Sequence, residues 1–261
     1  MYRKQIKIGE HLIFISSHSS TVMKMFNRNF FLIDDNINDK PDFSIHIIEG
    51  YGISFVDYHV SILKTSGAIS YKRADYLIEV DLEYKKSTIS IHNDLALKHA
   101  LMNLYSSFLV HNNWGILLHS SCVLENSGAH IFSGQSGAGK STVAKLSYPR
   151  ELLSDEATII KITPEEVKVF DSPFRSELEG KCHSETHTLK SIQLLHQSVN
   201  NERTKLSKST GLLQLMDKVF YWTNSPDETK RIFHLLNKLV NQVPVYDLHF
   251  QKNNSFWEMI S

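Results

Sequence analysis

The sequence predicts a mixed α/β (α+β) fold: a β-rich N-terminal region, one connecting helix, and a second half whose strands and helices surround a glycine-rich loop. Three observations carry this expectation. The first hundred residues hold several apolar or alternating runs of strand length, among them Phe43-Ser-Ile-His-Ile-Ile48 and Tyr76-Leu-Ile-Glu-Val-Asp-Leu82. Leu97, Leu101, Leu104 and Phe108 then recur at helical spacing. Finally, the apolar run Ala129-His-Ile-Phe-Ser133 leads directly into Gly134-Gln-Ser-Gly-Ala-Gly-Lys140-Ser141, with helical spacing again in Ser141-Thr-Val-Ala-Lys-Leu146.

In order along the chain, residues 1–94 form the β-rich region. The run from Ile6 to Ile15, Phe30–Ile33, Phe43–Ile48, Tyr76–Leu82 and Ser87–Ile91 are its expected strands, the last two joined through Glu83-Tyr-Lys-Lys86. Residues 95–113 form the connecting helix, capped by Asn93 or Asp94 and ending near His111-Asn112-Asn113. Residues 114–261 form the second unit. There Trp114–His119 and Ala129–Ser133 read as a hairpin turning through Glu125–Gly128, and Ala157–Ile162 pairs with Val167–Phe170 around Thr163-Pro-Glu-Glu166. Asp171 to Gly180 is rich in charge and turn formers, which predicts a loop bordering the site. Helices are expected over Ser209–Trp222 and Pro226–Gln242, the latter with Phe233, Leu236 and Val240 on its apolar face, and Val243–Phe250 closes as a strand.

Bulk composition narrows the function. Twenty-eight basic side chains balance twenty-eight acidic ones, so no global field draws the chain onto nucleic acid or an anionic bilayer. Met1-Tyr-Arg-Lys-Gln5 lacks the apolar stretch of a secretion signal, and no run approaches membrane-spanning length. The expectation is a cytoplasmic protein with no nucleic-acid or membrane partner; self-association is compatible with the sequence. Cys122 and Cys182 stand far apart without CxxC spacing, which fits reduced thiols.

The loop predicts phosphate chemistry. Glycines at 134, 137 and 139 permit backbone angles that turn successive N–H groups onto phosphate oxygens, and the following helix adds its positive end. Gly134, Ser136, Gly137, Ala138, Gly139, Lys140, Ser141 and Thr142 are therefore the expected nucleotide-binding residues, with Lys140 on the β- and γ-phosphates of ATP and Ser141 on Mg²⁺. An acidic pair, Asp155-Glu156, follows after the apolar Leu152-Leu153. Only one short helix and one strand fit between loop and carboxylates, so both are expected at one edge of a sheet. In motor-type and GTPase-type hydrolases the corresponding aspartate comes much further downstream, so the spacing implies a different sheet order.

The order His119, Gly134–Ser141, Leu152-Leu-Ser-Asp-Glu156 resembles the HPr kinase/phosphorylase superfamily, whose catalytic domain shares its fold with ATP-dependent phosphoenolpyruvate carboxykinase. The likeness runs from about Gly115 to the C-terminus, including Ile192-Gln-Leu-Leu-His-Gln-Ser198 and Val243-Pro-Val-Tyr-Asp-Leu248. Within it, the short chain and β-rich N-terminal part are most similar to the kinases encoded with lasso-peptide pathways. The resemblance implies transfer of the γ-phosphoryl group of ATP to a serine hydroxyl of a ribosomally made precursor peptide. It implies that Lys140 and Ser141 are the loop lysine and the Mg²⁺ ligand, that Asp155 takes the acceptor's proton, and that His119 sits beside it. Glu156 stands where the family has a second aspartate, one methylene shorter, and would be the other metal ligand. No equivalent of the bifunctional members' reverse-reaction signature is evident around Lys205 to Leu215, which implies a kinase only.

Other residues carry weaker signals. Arg175 and Glu177 in the polar loop are expected to meet substrate, Arg175 through its planar fork. Cys182, His183 and His187 resemble metal ligands, yet no fourth has matching spacing and Thr186 and Thr188 oppose a helix there. Two other functions stay open: a kinase for a small-metabolite hydroxyl, and an ATP-binding regulatory module that transfers nothing.

Overall fold

The computed structural model describes residues 1–33, 40–126, 128–176, 185–223 and 225–260. The chain is a strand-rich mixed α/β protein in which, among the described residues, two eight-stranded sheets flank a buried helix.

The first sheet is built from β1 (Tyr2–Ile8), β2 (His11–Ser17), β3 (Phe31–Ile33), β4 (Phe43–Glu49), β5 (Ser61–Lys64), β6 (Ala68–Lys72), β7 (Tyr76–Asp81) and β8 (Lys86–Ile91), in the order β3-β1-β2-β4-β8-β7-β6-β5. The run from Ile6 to Ile15, expected as one strand, is instead a hairpin. Gly9, at φ +59°, turns the chain so that Ile8 pairs with His11 and Ile6 with Ile13. Helix α1 (Ser20–Asn29) was not expected; Ser19 caps it by accepting from the Thr21 and Val22 N–H groups, and Val22, Met23 and Phe26 bury its inner face.

Helix α2 (Asp94–His111) starts at Asn93, whose side chain accepts from the Ala96 N–H. It buries Leu97, Leu101, Leu104 and Phe108 as expected, but also Ala100, Met102, Leu109 and Val110, so that nearly all of its circumference is enclosed. A helix apolar on all sides belongs inside a protein. Two of its polar side chains find partners on neighbouring elements: Asn103 Nδ2 donates to the Tyr76 hydroxyl at 3.2 Å, and Ser106 Oγ donates to the Phe220 carbonyl.

The second sheet contains β9 (Gly115–Glu125), β10 (Gly128–Ser133), β11 (Glu151–Ser154), β12 (Ala157–Ile162), β13 (Val167–Phe170), β14 (Thr186–Gln197), β15 (Glu202–Lys205) and β16 (Val245–Phe250). Its path is β10-β9-β12-β13-β14-β16-β15, with β11 also on β9, and β10 pairs in parallel with β14. That last pairing closes β10, β9, β12, β13 and β14 into a small barrel. His187 lies on β14, so it presents no helical ligand face; Cys182 and His183 lie outside the described residues, and Cys122 is a buried free thiol.

Helix α3 (Lys140–Leu146) follows the glycine-rich loop, and α4 (Lys208–Met216) and α5 (Pro226–Gln242) cover the barrel. Two expectations need correction here. α4 stops at Met216 instead of reaching Trp222, because the unpaired edge of β9 captures the chain: Phe220 N–H donates to the Leu117 carbonyl at 2.9 Å and His119 N–H to the Lys218 carbonyl at 2.8 Å. On α5 the buried face is Ile232, Leu235, Leu236, Leu239 and Val240, whereas Phe233 is half exposed. A short 3-10 helix (Asn254–Met259) brings Phe256 and Trp257 against Phe132 and Phe250.

One hydrophobic core joins the two sheets. Ile6, Ile13, Ile45 and Ile89 of the first pack in the same cluster as Leu117, Ala157, Ile159 and Phe170 of the second, with α2 between. Each fully buried Ile or Leu contributes about 1.5–3 kcal/mol, so this shared core holds the N-terminal sheet against the barrel. Among the described residues no helix is long and apolar enough to cross a membrane.

Candidate functional site

Strand register brings the glycine-rich loop and the acidic pair together, and Ser120 is the hinge of that register. On one side Ser133, the last residue of β10, lies opposite Ser120 of β9. On the other, β9 is shared end to end by β11 and β12, with Ser154 opposite Cys122 and Ala157 opposite His119. Asp155 and Glu156 fill the interruption between them, and the Ser120 N–H donates to the Glu156 carbonyl at 3.1 Å. Loop and carboxylates thus stand two strand spacings apart, about 10 Å across the sheet.

A buried hydroxyl network supports this interruption. Ser120 Oγ donates to Thr158 Oγ1 at 2.7 Å, which lies 2.5 Å from Ser154 Oγ, and all three residues are fully buried. These small polar side chains let the backbone of β9, β11 and β12 converge without a void while leaving no hydroxyl unpaired.

The loop has the geometry its glycines permit. Gly137 and Gly139 adopt φ of +81° and +108°, and a Cβ on Gly139 would lie 2.7 Å from the Phe250 ring, so neither position suits a larger residue. Gln197, at the end of β14, donates to the Gly137 carbonyl at 2.7 Å and pins the loop from outside. Lys140 folds back on it, Nζ donating to the Gly134 and Gln135 carbonyls at 3.1 and 3.3 Å. Burial, and then the positive charge of Lys218, push the Lys140 pKa below its ordinary value. An anion among these groups would relieve both effects.

Asp155 is largely buried, and its Oδ1 accepts the Ser176 N–H at 2.9 Å. Glu156 Oε2 lies 2.5 Å from Nζ of Lys98, which reaches it from α2. His119 packs its ring on Phe220, with 5.3 Å between centroids. Burial pushes its pKa down to about 4, with Lys140 and Lys218 acting in the same direction, so the imidazole is neutral at physiological pH.

Arg175 occupies a different environment from the exposed phosphate clamp expected of it. Its Nη2 meets Asp171 Oδ1 at 2.5 Å, its Nε donates to the Ser172 carbonyl at 2.9 Å, and its side chain is buried. The guanidinium therefore braces the loop that presents Ser176 to Asp155. Glu177 lies outside the described residues.

A cleft of 350 Å³ gathers Ser136, Gly137, Gly139, Lys140, Ser141 and Thr142 with Asp155, Glu156 and His119. Ala138 and Gly134 face a larger neighbouring space of 670 Å³, bounded by Leu195, His196, Leu213 and Lys218. Four residues that matter here carried no motif signal: Lys98, Ser176, Gln197 and Lys218. Ser176 lay in the Asp171 to Gly180 loop expected to border the site, and Gln197 in the segment from Ile192 to Ser198.

The family model for the SynChlorMet cassette protein ScmC matches residues 80–261, from the end of β7 to the C-terminus. The chain belongs to the ScmC family. The ScmC match takes in α2, the whole barrel, the glycine-rich loop and the acidic pair, and leaves most of the first sheet outside it. No curated protein gives a significant match.

Proposed function

We propose that this ScmC-family chain is an ATP-dependent kinase with an HPr kinase-like P-loop domain, acting in the cytoplasm on a serine hydroxyl of a ribosomally made precursor peptide. One observation carries the reading: Lys140, Ser141 and Thr142 share a single cleft with Asp155, Glu156 and His119. A phosphate-holding loop facing a buried carboxylate is the minimum apparatus for phosphoryl transfer, which depends mainly on positioning and charge stabilisation. The sequence resemblance to HPr kinases supports the same reading.

The loop N–H groups and the Lys140 ammonium hold the β- and γ-phosphates, Lys140 exchanging the Gly134 and Gln135 carbonyls for phosphate oxygens. The 670 Å³ space on the far side of the loop, with apolar Leu195 and Leu213 and the cationic Lys218, accommodates the nucleoside. Asp155 orients the acceptor hydroxyl and takes its proton. As the acceptor oxygen bonds to the γ-phosphorus, the bond from phosphorus to the β-bridging oxygen breaks, and ADP leaves with that electron pair. His119, neutral, lines the same cleft and adds no charge to repel the arriving proton.

The hydroxyl of Ser141 and the carboxylate of Glu156 are hard oxygen donors suited to Mg²⁺, which commonly takes one or two carboxylates and completes its shell with phosphate and water oxygens. Ser141 and Glu156 line one cleft and are the residues that would hold it together with substrate. Bound there, Mg²⁺ supplies neutralisation of the charge on the phosphate oxygens.

The test is incubation with γ-labelled ATP and Mg²⁺, with and without serine-containing peptides, followed by mass analysis of whatever gains phosphate. Label on a small metabolite instead of peptide would replace the acceptor class. The ion pair between Lys98 and Glu156 specifically favours a second reading, a nucleotide-dependent switch in which ATP and its cation break that pair and move α2. Such a switch binds ATP and transfers no label.

A further inference from the structure

A second cavity, of 410 Å³, opens between the N-terminal sheet and the phosphate cleft, and the two spaces share His119, Ser136 and Glu156. One wall comes from the first half of the chain: Tyr58, Arg73, and His99 and Met102 of α2. The other is the segment that leaves α4 and pairs with β9, carrying Phe220, Tyr221 and Trp222. Phe220 and Trp222 pack on the core that joins the two sheets, so this wall is anchored and not a free loop.

The charges on this cavity are already spoken for. Arg73 holds Asp75 through both carboxylate oxygens, at 2.7 and 2.9 Å, and both side chains are almost wholly buried. Its guanidinium also lies over the Tyr76 and Phe55 rings, at 4.4 and 4.9 Å from their centroids. Lys98 is committed to Glu156. What remains is largely aromatic surface, with Ser136 and His119 at the phosphate-loop end and one donor of fixed orientation. Arg73 Nη2 lies 2.8 Å from His99 Nδ1; a guanidinium can only donate, so Nδ1 is the acceptor and the imidazole proton sits on Nε2. Phe55 and Tyr58 lean on His99 at 6.0 and 6.2 Å between ring centroids and hold the imidazole in place.

We propose that this cavity is the acceptor site, and that it takes an uncharged peptide segment whose reacting serine is flanked by an aromatic or branched apolar residue. The inference rests on the kinase reading and adds to it the identity of the acceptor wall: the N-terminal region selects the substrate, and the barrel performs the transfer. The apolar flank lies against Met102, Phe220 and Trp222, and a backbone carbonyl of the peptide accepts from His99 Nε2–H. The serine is thereby set beside Glu156 and His119, at the mouth of the phosphate cleft. A charged flank would lose its hydration against a largely aromatic wall whose arginine is already held by Asp75.

The test uses the full chain, ATP and Mg²⁺, and nine-residue peptides with one central serine flanked by Phe, Leu, Asp or Lys. ATP binding is measured separately by calorimetry. Phe- and Leu-flanked peptides are expected to show a kcat/KM about tenfold or more above the charged ones. Trp222→Ala and His99→Ala are each expected to raise the peptide KM about tenfold with ATP affinity unchanged. Tyr58→Ala, at a side chain 73% exposed, cannot unfold the protein and is expected to raise the peptide KM in the same direction. Equal use of charged peptides, or an unchanged peptide KM in all three variants, would overturn the proposal. A chain that fails to bind ATP, or that binds ATP and transfers to no peptide, would instead overturn the kinase reading beneath it.

Discussion

Lys98 on α2 and Glu156 between β11 and β12 meet at 2.5 Å, and this ion pair fastens the helix between the sheets to the acidic end of the cleft at the glycine-rich loop. Both side chains keep about a fifth of their surface in solvent, so the pair stabilises the fold by no more than about 1 kcal/mol. Its larger effect is expected on Glu156 itself. Lys98→Met should shift the urea midpoint only slightly, while lowering the Mg²⁺ concentration needed for half-maximal transfer, because the carboxylate no longer has to exchange a partner. An unchanged Mg²⁺ requirement would remove Glu156 from the metal site.

Lys140 and Asp155 should separate binding from turnover. Lys140→Ala removes the ammonium facing the phosphates and is expected to weaken ATP binding by about tenfold or more, read by calorimetry. Asp155→Asn keeps an oxygen for the Ser176 N–H but cannot take a proton; ATP affinity should hold while transfer falls by about 10²-fold or more. Near-normal transfer by this variant would mean that another group accepts the proton.

Thr158 sits at the centre of the hydroxyl network behind the acidic pair. Thr158→Val preserves volume and strands the Ser154 hydroxyl in a dry interior, while Ser120 keeps only the Leu118 carbonyl at 3.1 Å. The expected cost is about 1–3 kcal/mol by chemical denaturation, together with a loss of transfer larger than any loss of ATP binding.

The pair of Arg73 and Asp75 is enclosed on all sides. Asp75→Ala leaves the guanidinium buried without its counter-charge, and the expected destabilisation is about 3–5 kcal/mol. Thermal unfolding of this variant against the parent chain checks it. A shift as small as that of Lys98→Met would mean that water reaches the guanidinium.

Acid should weaken the fold through its buried histidines. Burial holds His11, His99, His119 and His130 down to about 4, against 6.5 for a free histidine. Above pH 6.5 these rings are neutral in both the folded and the unfolded chain. As the pH falls from there towards 4 only the unfolded chain takes up the protons, so stability drops across this window by up to about 1.4 kcal/mol per pH unit for each ring. Melting temperatures measured from pH 7.5 to 4.5 check the slope; a flat profile would mean that the imidazoles are solvated.

Much of the fold was legible because local signals coincided. Asn93 before the Leu97, Leu101, Leu104 and Phe108 stripe marked α2, and an apolar strand before glycines with a helix after marked the loop between β10 and α3. Where local and tertiary demands diverged, the expectation slipped. The propensity of Ser209 to Trp222 for helix gave way at Met216 to an open edge of β9. Phe233 scanned as part of an apolar face, yet the face is set by how α5 lies on the barrel, and Ile232 and Leu235 fill it. Arg175 was placed in the polar loop that its composition predicts, but its charge answers Asp171 four residues earlier.

By itself the sequence determined the mixed α/β composition, the helix between two strand-rich halves, and the glycine-rich turn between a strand and a helix, since backbone angles, capping and periodicity act over a few residues. Tertiary structure alone decided that Lys98 reaches Glu156, that Gln197 pins Gly137, and that Arg73 and His99 wall a cavity opening on the loop. Those partners lie tens of residues or more apart in the chain, and which of them meet is set by strand register and by how a closed barrel packs on a buried helix.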